Sequence, residues 1–278
     1  VHNRTVQLTN ARWNVDAGWV EEELQVPVSL INDLSAISYA VPLVERSDPG
    51  QYLALTGREG AAGPQPTGTT RAVVAPGTGL GVGFLSGEGV ALRVQPSEGG
   101  HSVMGDYDPE TRRFRDFVRS RFGEMPDAET FVSGQGVANA ADFVAHEGGF
   151  KSGPVAEELK AAAFQDRPAI VSRYADTDSD CARAMRLFKR MYGKFAANMA
   201  LTFLPYAGLY LAGGVTEKNV HHLIADNTFM EAFLSHDNEA MRKPLSRIPV
   251  GIIRNYDISL FGCAHSAYLE VQRGGQSV

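Results

Sequence analysis

The chain alternates between short apolar runs, of which 72–75 is β-branched, and longer segments whose apolar residues recur at helical spacing, a pattern typical of an α/β protein. The runs that predict strands are 26–31, 52–55, 72–75, 80–85, 90–94, 209–212 and 249–253. Helices are predicted over 13–24, 34–40, 109–122, 137–146, 155–164, 169–174, 180–201 and 259–271. The apolar stripe of the 180–201 helix favours core packing over contact with a cofactor.

Three short motifs rich in glycine stand at the ends of predicted strands. Pro76-Gly77-Thr78-Gly79 separates two strands, and closely spaced glycines there would bring backbone N–H groups together in a phosphate cradle. The alternative is a tight hairpin in which the glycines only supply positive φ. Ser133-Gly134-Gln135-Gly136 and Gly213-Gly214 each precede a helix, and each is either an anion site or a simple turn. The sequence alone leaves both interpretations open.

A polar pair, Asn32-Asp33, lies between a predicted strand and a predicted helix. Either residue can cap the helix by accepting an unpaired backbone N–H, and position alone slightly favours this role. A carboxylate at the carboxyl end of a strand also lies where α/β sheets bind ligands. Both roles are compatible if Asn32 fixes the turn and Asp33 faces the cleft.

Composition narrows the class of protein. The 278 residues carry a formal net charge of −6, which argues against a nucleic acid or an anionic membrane as the main partner. The longest apolar stretch, 199–215, is interrupted by proline and glycines, so it predicts core rather than a membrane span. Cys181 and Cys263 have no metal-ligand spacing and predict reduced, buried thiols in a cytoplasmic protein.

Seven motifs in a fixed order resemble those of the bacterial ATP-dependent glucokinases of the hexokinase and actin-like ATPase superfamily. They are LTNARW (8–13), IND (31–33), APGTGLGVGFL (75–85), SEGGH (97–101), ETFVSGQG (129–136), LYLAGGV (209–215) and SLFGCAH (259–265). The resemblance implies a two-lobed, ribonuclease-H-like α/β fold with a deep interlobe cleft. It assigns 1–43 and 254–278 to a small lobe and 44–253 to a large lobe.

The resemblance also implies a site for glucose and ATP. Asp33 matches the position of the family's catalytic base, and the other sugar ligands match Asn32, Glu98, His101 and Glu129. Thr78 and Gly79 match the second phosphate loop, and Gly213 with Gly214 the adenosine-binding turn. Carboxylates, an amide and an imidazole can together form hydrogen bonds with the hydroxyls of a sugar ring. The alternatives for Glu98 and His101 are a surface turn or a metal pair, but a metal needs more ligands and no other His or Cys is suitably spaced.

Two departures from the family pattern define further expectations. The cysteine-rich zinc motif of the repressor–kinase branch is absent from the sequence. The first phosphate loop, an Asp-x-Gly-Gly-Thr pattern that positions Mg²⁺ and the ATP phosphates, is also not found, so we expect an omitted N-terminal segment or a truncated fragment.

The resulting functional prediction is phosphorylation of glucose in glycolysis by a cytoplasmic homodimer. The alternatives are a kinase for another hexose, a sugar-binding regulator without turnover, and a structural actin-like ATPase. A regulator would need a DNA-binding segment, and neither a helix-turn-helix nor a basic patch is visible.

Overall fold

The computed structural model describes residues 4–7, 14–56, 63–123, 125–255 and 257–274. The strands are β1 (Thr5–Gln7), β2 (Asn14–Asp16), β3 (Tyr52–Leu55), β4 (Arg71–Pro76), β5 (Leu80–Ser86), β6 (Arg93–Ser97), β7 (Leu209–Leu211) and β8 (Val250–Ile253). The first α-helices are α1 (Ala17–Leu24), α2 (Asp33–Ala40), α3 (Pro109–Phe122), α4 (Gly134–His146), α5 (Pro154–Ala161) and α6 (Arg167–Tyr174). They are followed by α7 (Ser179–Phe203), α8 (Gly213–Lys218), α9 (Val220–Ala225), α10 (Thr228–Leu234), α11 (Glu239–Leu245) and α12 (Ile258–Gly274).

A six-stranded mixed sheet organises the structure. Its strand order is β3-β8-β7-β4-β5-β6; β8, β7 and β4 run parallel, and β3, β5 and β6 pair antiparallel with their neighbours. Alternate residues of each strand enter different cores, as expected of a sheet covered on both faces. On β4, Val74 packs with α4 and α7, whereas Val73 packs with α2 and α12. β1 and β2 form a separate antiparallel pair.

The apolar pattern predicted most of these elements correctly. The Gly-rich hairpin is β4 and β5, and Tyr52–Leu55 is an edge strand. The side chain of Asp108 caps α3, Pro109 is its first residue, and Gly123 ends it in the left-handed conformation. On α7, all six residues of the predicted stripe are buried, namely Met185, Phe188, Met191, Tyr192, Phe195 and Met199.

One strand prediction is wrong and another is shifted along the chain. Residues 27–32 form no regular element; a strand needs a hydrogen-bonded neighbour, and none of the described residues supplies one. The strand predicted over 90–94 is present as β6 and pairs with β5, but it begins at Arg93 because Gly89–Ala91 form a short 3₁₀ turn. Pro96 is accommodated in β6 because β6 is an edge strand, where a missing N–H need not break the ladder.

Some burial and boundary predictions are also wrong. The first helix begins at Ala17 rather than at Trp13, which lies outside the described residues, and Leu24 is exposed. Phe122, predicted on the buried face of α3, is 44% exposed at its last turn. Cys181 is buried as predicted, whereas Cys263 is exposed on α12.

Helices α2 and α12 lie together on one face of the sheet. Leu34 and Ser38 of α2 pack against Gly81 and Gly83 of β5, where larger residues would collide with them. α12 crosses α2 closely at Gly262. This packing holds the start of α2 over the end of the β4–β5 hairpin; the division of the chain into two lobes stays a prediction. No helix within the described ranges has the length and apolar character needed to cross a membrane.

Candidate active site

A cavity of about 510 Å³ opens at the edge of the sheet where β4, β7 and β8 end. Parallel strands present their carboxyl ends at one edge, and ligands of α/β sheets bind there. The cavity is lined by Asp33, Leu34, Ile37, Ala75, Gly77, Thr78, Gly79, Leu80, Gly81, Ala212, Gly213, Gly214, Glu217, Ile253, Asn255, Ile258 and Ser259. It therefore brings Asp33 together with all four residues of the predicted phosphate loop and adenosine turn.

The turn between β4 and β5 is held by backbone hydrogen bonds. Gly77 N–H donates to Gly79 O at 2.7 Å, and Gly134 N–H, at the start of α4, donates to Gly77 O at 2.9 Å. Among the described residues, the backbone N–H and the hydroxyl of Thr78 have no hydrogen-bond partner, and Thr78 is exposed. Both donors remain available to an anion in the cavity.

The second glycine turn is fixed against the first by a close backbone approach. Gly213 has φ +83°, and a Cβ there would lie 2.6 Å from Pro76 O. Only glycine combines this φ with this contact without strain. Behind the turn, the buried Tyr192 hydroxyl hydrogen-bonds Thr216 Oγ1 at 2.9 Å, which ties α8 to α7.

The two roles considered for Asn32-Asp33 fall on different residues. Asn32 Oδ1 accepts the N–H groups of Leu34 and Ser35 at 2.9 and 3.3 Å, so Asn32 is the N-cap of α2. Asp33 is the first helical residue and lines the cavity with an exposed side chain. Leu34 N–H also donates to Asp33 Oδ1 at 2.8 Å. Because Asn32 accepts from both Leu34 and Ser35, the cap does not require Asp33, and the second oxygen of its carboxylate is left for other chemistry.

The remaining predicted sugar ligands come together beside the cavity, at the Leu80 side. Glu129 Oε2 accepts the backbone N–H of Leu80 at 2.8 Å, and Glu129 N–H donates to Gly100 O at 2.9 Å. His101 N–H in turn donates to Glu98 O at 3.0 Å. These bonds hold the segment around Glu98 and His101 against the segment that carries Glu129. None of the three side chains lines the 510 Å³ cavity itself.

An aspartate that sequence reasoning missed completes this cluster. Asp127 Oδ2 lies 2.8 Å from His101 Nδ1, and its Oδ1 accepts from Thr130 N and Oγ1 at 3.1 and 2.8 Å. The signal was an Asp three residues before a Thr, a common local turn pattern. Nothing in that pattern indicates that the other carboxylate oxygen would orient His101.

Interactions within the cluster shift the pKa values of His101 and Asp127. The hydrogen bond with Asp127, helped by the negative charge of Glu129, raises the pKa of His101. Burial alone would raise the pKa of Asp127, but the hydrogen bonds with His101 and Thr130 outweigh it and lower that pKa. Both members of the pair are therefore charged over a wider pH range than an isolated histidine and an isolated aspartate would be.

A larger cavity of about 730 Å³ lies elsewhere, between the start of α3, α7 and α10. Its lining includes two ion pairs, Arg112 with Asp106 and Arg190 with Asp108. It contains none of the predicted site residues. The smaller cavity is the candidate active site because backbone donors and the Asp33 carboxylate line it, and the cluster of Glu98, His101 and Glu129 lies beside it.

The comparison with protein families decides the classification. The family model described as Glucokinase matches residues 1–270. The chain belongs to the glucokinase family. A curated glucokinase of Nostoc sp. (strain PCC 7120 / SAG 25.82 / UTEX 2576) is 33% identical over 280 residues, covering 95% of this chain and 78% of the relative. The family resemblance drawn from the seven motifs is thereby confirmed.

Solved structures share the fold. A glucokinase from an Antarctic psychrotroph superposes with a TM-score of 0.77 at 24% identity, covering 96% of this chain and 76% of that one. A glucokinase from Balamuthia mandrillaris in complex with glucose gives 0.74 at 20% identity, covering 96% and 74%. These likenesses confirm the α/β, actin-like ATPase fold predicted from the sequence.

Proposed function

We propose that this chain carries the ATP-dependent phosphorylation of glucose at its 6-hydroxyl, giving glucose 6-phosphate and ADP. Membership of the glucokinase family supports the reaction. The structural observation that carries it is a single cavity lined by Asp33, by the Thr78 loop and by the Gly213 turn, with the Glu129 cluster at its rim. A phosphoryl donor and a sugar acceptor can meet only if their binding groups converge in this way.

The ATP phosphates would lie against the turn between β4 and β5. Thr78 offers a free backbone N–H and a free hydroxyl, and Gly77 leaves open space where another residue would carry its Cβ. The adenosine would lie towards Gly213 and Gly214, at the start of α8. This arrangement supplies backbone donors to the charge that develops on the transferred phosphoryl group, the main protein contribution in phosphoryl transfer.

Mg²⁺ would enter with ATP, and its chemistry is to neutralise the phosphate oxygens. The cavity contains oxygen donors that suit this hard cation, namely the carboxylates of Asp33 and Glu217 and the hydroxyl of Thr78. Mg²⁺ usually keeps several waters, so we expect these groups to contact it through water.

The sugar would lie between Asp33 and the cluster at the Leu80 side. Glu98, His101, Glu129 and the Asn32 amide would hold its hydroxyls, and Asp127 would fix the His101 ring. Asp33 would take the proton from the 6-hydroxyl as the oxygen attacks the γ-phosphorus and the bond to the ADP oxygen breaks. We further propose that the enzyme acts as a homodimer in the cytoplasm, in glycolysis.

The direct test is ADP release by the purified full-length protein with and without glucose. ADP formed only with glucose supports the kinase, and ADP formed equally without sugar favours an actin-like ATPase. Glucose binding without ADP release indicates a sugar-binding protein, and faster turnover of mannose or fructose indicates another hexose kinase. Light scattering tests the dimer.

Hydrogen exchange provides a second measurement of the site. We expect saturating glucose to protect residues 97–101 and the segment around Glu129, because a closed site excludes water from bound hydroxyls. Unchanged exchange in both segments would contradict the assignment of this cluster to the sugar.

A further inference from the structure

We propose that Asp176, His221 and His222, none of which lines the candidate active-site cavity, form a binding site for a zinc-class divalent cation. Asp176 lies in the turn after α6, and the two histidines lie in the first turn of α9. The candidate ligand atoms of the three residues all lie within 4.8 Å of one another. Neither the family assignment nor the proposed function uses these residues.

Two separations between ligand atoms are close to those of tetrahedral coordination. Asp176 Oδ1 lies 3.4 Å from His222 Nδ1, and Asp176 Oδ2 lies 3.8 Å from His221 Nε2. Ligands placed about 2.0–2.2 Å from Zn²⁺ in a tetrahedron are separated by about 3.4 Å. The side chains of Asp176 and His221 are exposed and can rotate, so we expect them to adjust around the ion. Water would occupy the fourth position.

A hydrogen bond behind the site fixes the ligand nitrogen of His222. His222 is 3% exposed, and its Nε2 lies 2.8 Å from the carbonyl oxygen of Ser172. A carbonyl can only accept, so Nε2 carries the hydrogen and the lone pair of the neutral ring is on Nδ1, facing Asp176. Metal-binding histidines are typically oriented by such a bond from the other ring nitrogen.

The types of the three side chains suit a divalent cation. Oxygens of the Asp176 carboxylate lie 3.4 and 3.8 Å from the His222 and His221 rings, and the centroids of the two rings are 3.7 Å apart. The nearby Lys189 ammonium is already paired with Asp226 at 2.8 Å. Imidazole and carboxylate ligands together suit Zn²⁺.

Such an ion would fasten the turn after α6 to α9. α9 follows α8 directly, and α8 begins at Gly213 in the candidate active site. The role is therefore structural, because none of the three ligands lines the cavity and the ion would hold the helices that support the Gly213 turn.

Calorimetric titration of the metal-stripped full chain with ZnCl₂ at saturating glucose tests this site, with glucose shielding the His101 cluster. We expect one Zn²⁺ per chain, and at least a tenfold weaker affinity in both Asp176→Asn and His221→Gln, whose side chains are exposed. His146→Gln and Cys263→Ser, which alter an exposed imidazole and an exposed thiol elsewhere, should bind as the wild type does.

Co²⁺ gives a spectroscopic measurement of the same site. The wild type should show visible absorption of tetrahedral cobalt, and Asp176→Asn should lose it. The proposal is overturned if the wild type does not bind Zn²⁺ stoichiometrically, if both ligand variants bind normally, or if Cys263→Ser abolishes binding. Because the readout is metal binding, a failure here is separate from a failure of the proposed kinase activity.

Discussion

The carboxylate of Glu129 accepts the backbone N–H of Leu80 at 2.8 Å, and this bond joins the two halves of the candidate active site. Leu80 begins β5 directly after the Thr78 loop, whereas Glu129 belongs to the cluster with Glu98 and His101. The proposed sugar ligand is thus positioned by the same turn that would bind the phosphates. A small change in the Thr78 loop should therefore alter the affinity for the sugar.

Gly79→Ala should weaken glucose binding through Glu129. The new Cβ would lie 2.7 Å from Glu129 Oε2, so the carboxylate must move from its bond to Leu80. Loss of a hydrogen bond to a charged group costs about 1.5–3 kcal/mol, so we expect the KM for glucose to rise by roughly 10- to 100-fold. Steady-state kinetics with glucose and ATP varied separately measures this.

Gly77→Ala is the matched control on the same loop. Its Cβ meets nothing within 4 Å, so Glu129 should stay in place. Because Gly77 lines the cavity, any effect should fall on the KM for ATP. Equal effects of the two substitutions on the KM for glucose would show that Glu129 is not the link between loop and sugar.

The ion pair of His101 with Asp127 should make part of the stability depend on pH. The pKa of His101 is raised above its ordinary value of 6.5 in the folded state. The contribution of the His101 charge to the free energy of unfolding is therefore complete below pH 6.5 and is lost as the pH rises through the raised pKa. The pKa of Asp127 is lowered in the folded state, so its carboxylate stays charged at lower pH than usual. The stability that this carboxylate contributes is lost only as the pH falls through that lowered pKa.

Comparison of the wild type with His101→Gln in denaturant titrations measures this effect. The difference in the free energy of unfolding should be larger at pH 6 than at pH 9. A difference that stays constant over this range would contradict the pairing. NMR titration of the ring, with a midpoint above pH 6.5, is the independent check.

Gly262→Ala should destabilise the contact between α12 and α2. A Cβ at Gly262 would lie 1.7 Å from the carbonyl oxygen of Ala36, a separation that requires the helices to move apart. Overpacking of this kind typically costs about 1–3 kcal/mol, measured as a lower free energy of unfolding. Gly274→Ala, at the end of the same helix, meets no atom within 4 Å and should change stability little. Equal stability of the two variants would contradict the close helix crossing.

Much of this site could be predicted from sequence because its elements are short and locally encoded. The apolar runs before Gly77 and Gly213 specify buried strands, and glycine is required where Gly213 approaches Pro76. The place of Asn32 before a helix predicts a cap, and the structure confirms it.

Other features depend on partners distant in sequence. The apolar pattern of residues 26–31 suits a strand, but a strand forms only if another strand pairs with it, and the local pattern carries no information about that partner. The bond between Glu129 and Leu80 spans 49 residues, and the pairing of Asp127 with His101 spans 26. The cluster of Asp176 with His221 and His222 likewise requires the packing of α6 beside α9 before its spacing becomes visible.

The most direct measurement of the central claim is the turnover of Asp33→Asn. Asn32 already caps α2, so the substitution should leave the helix intact, and the amide can still hydrogen-bond the sugar. It cannot accept the proton, so we predict that kcat falls by about 10²–10⁴-fold while glucose affinity changes far less. Glu129→Gln is the control, which should mainly raise the KM for glucose. Normal kcat in Asp33→Asn would contradict the account, because no base would then be assigned to the reaction.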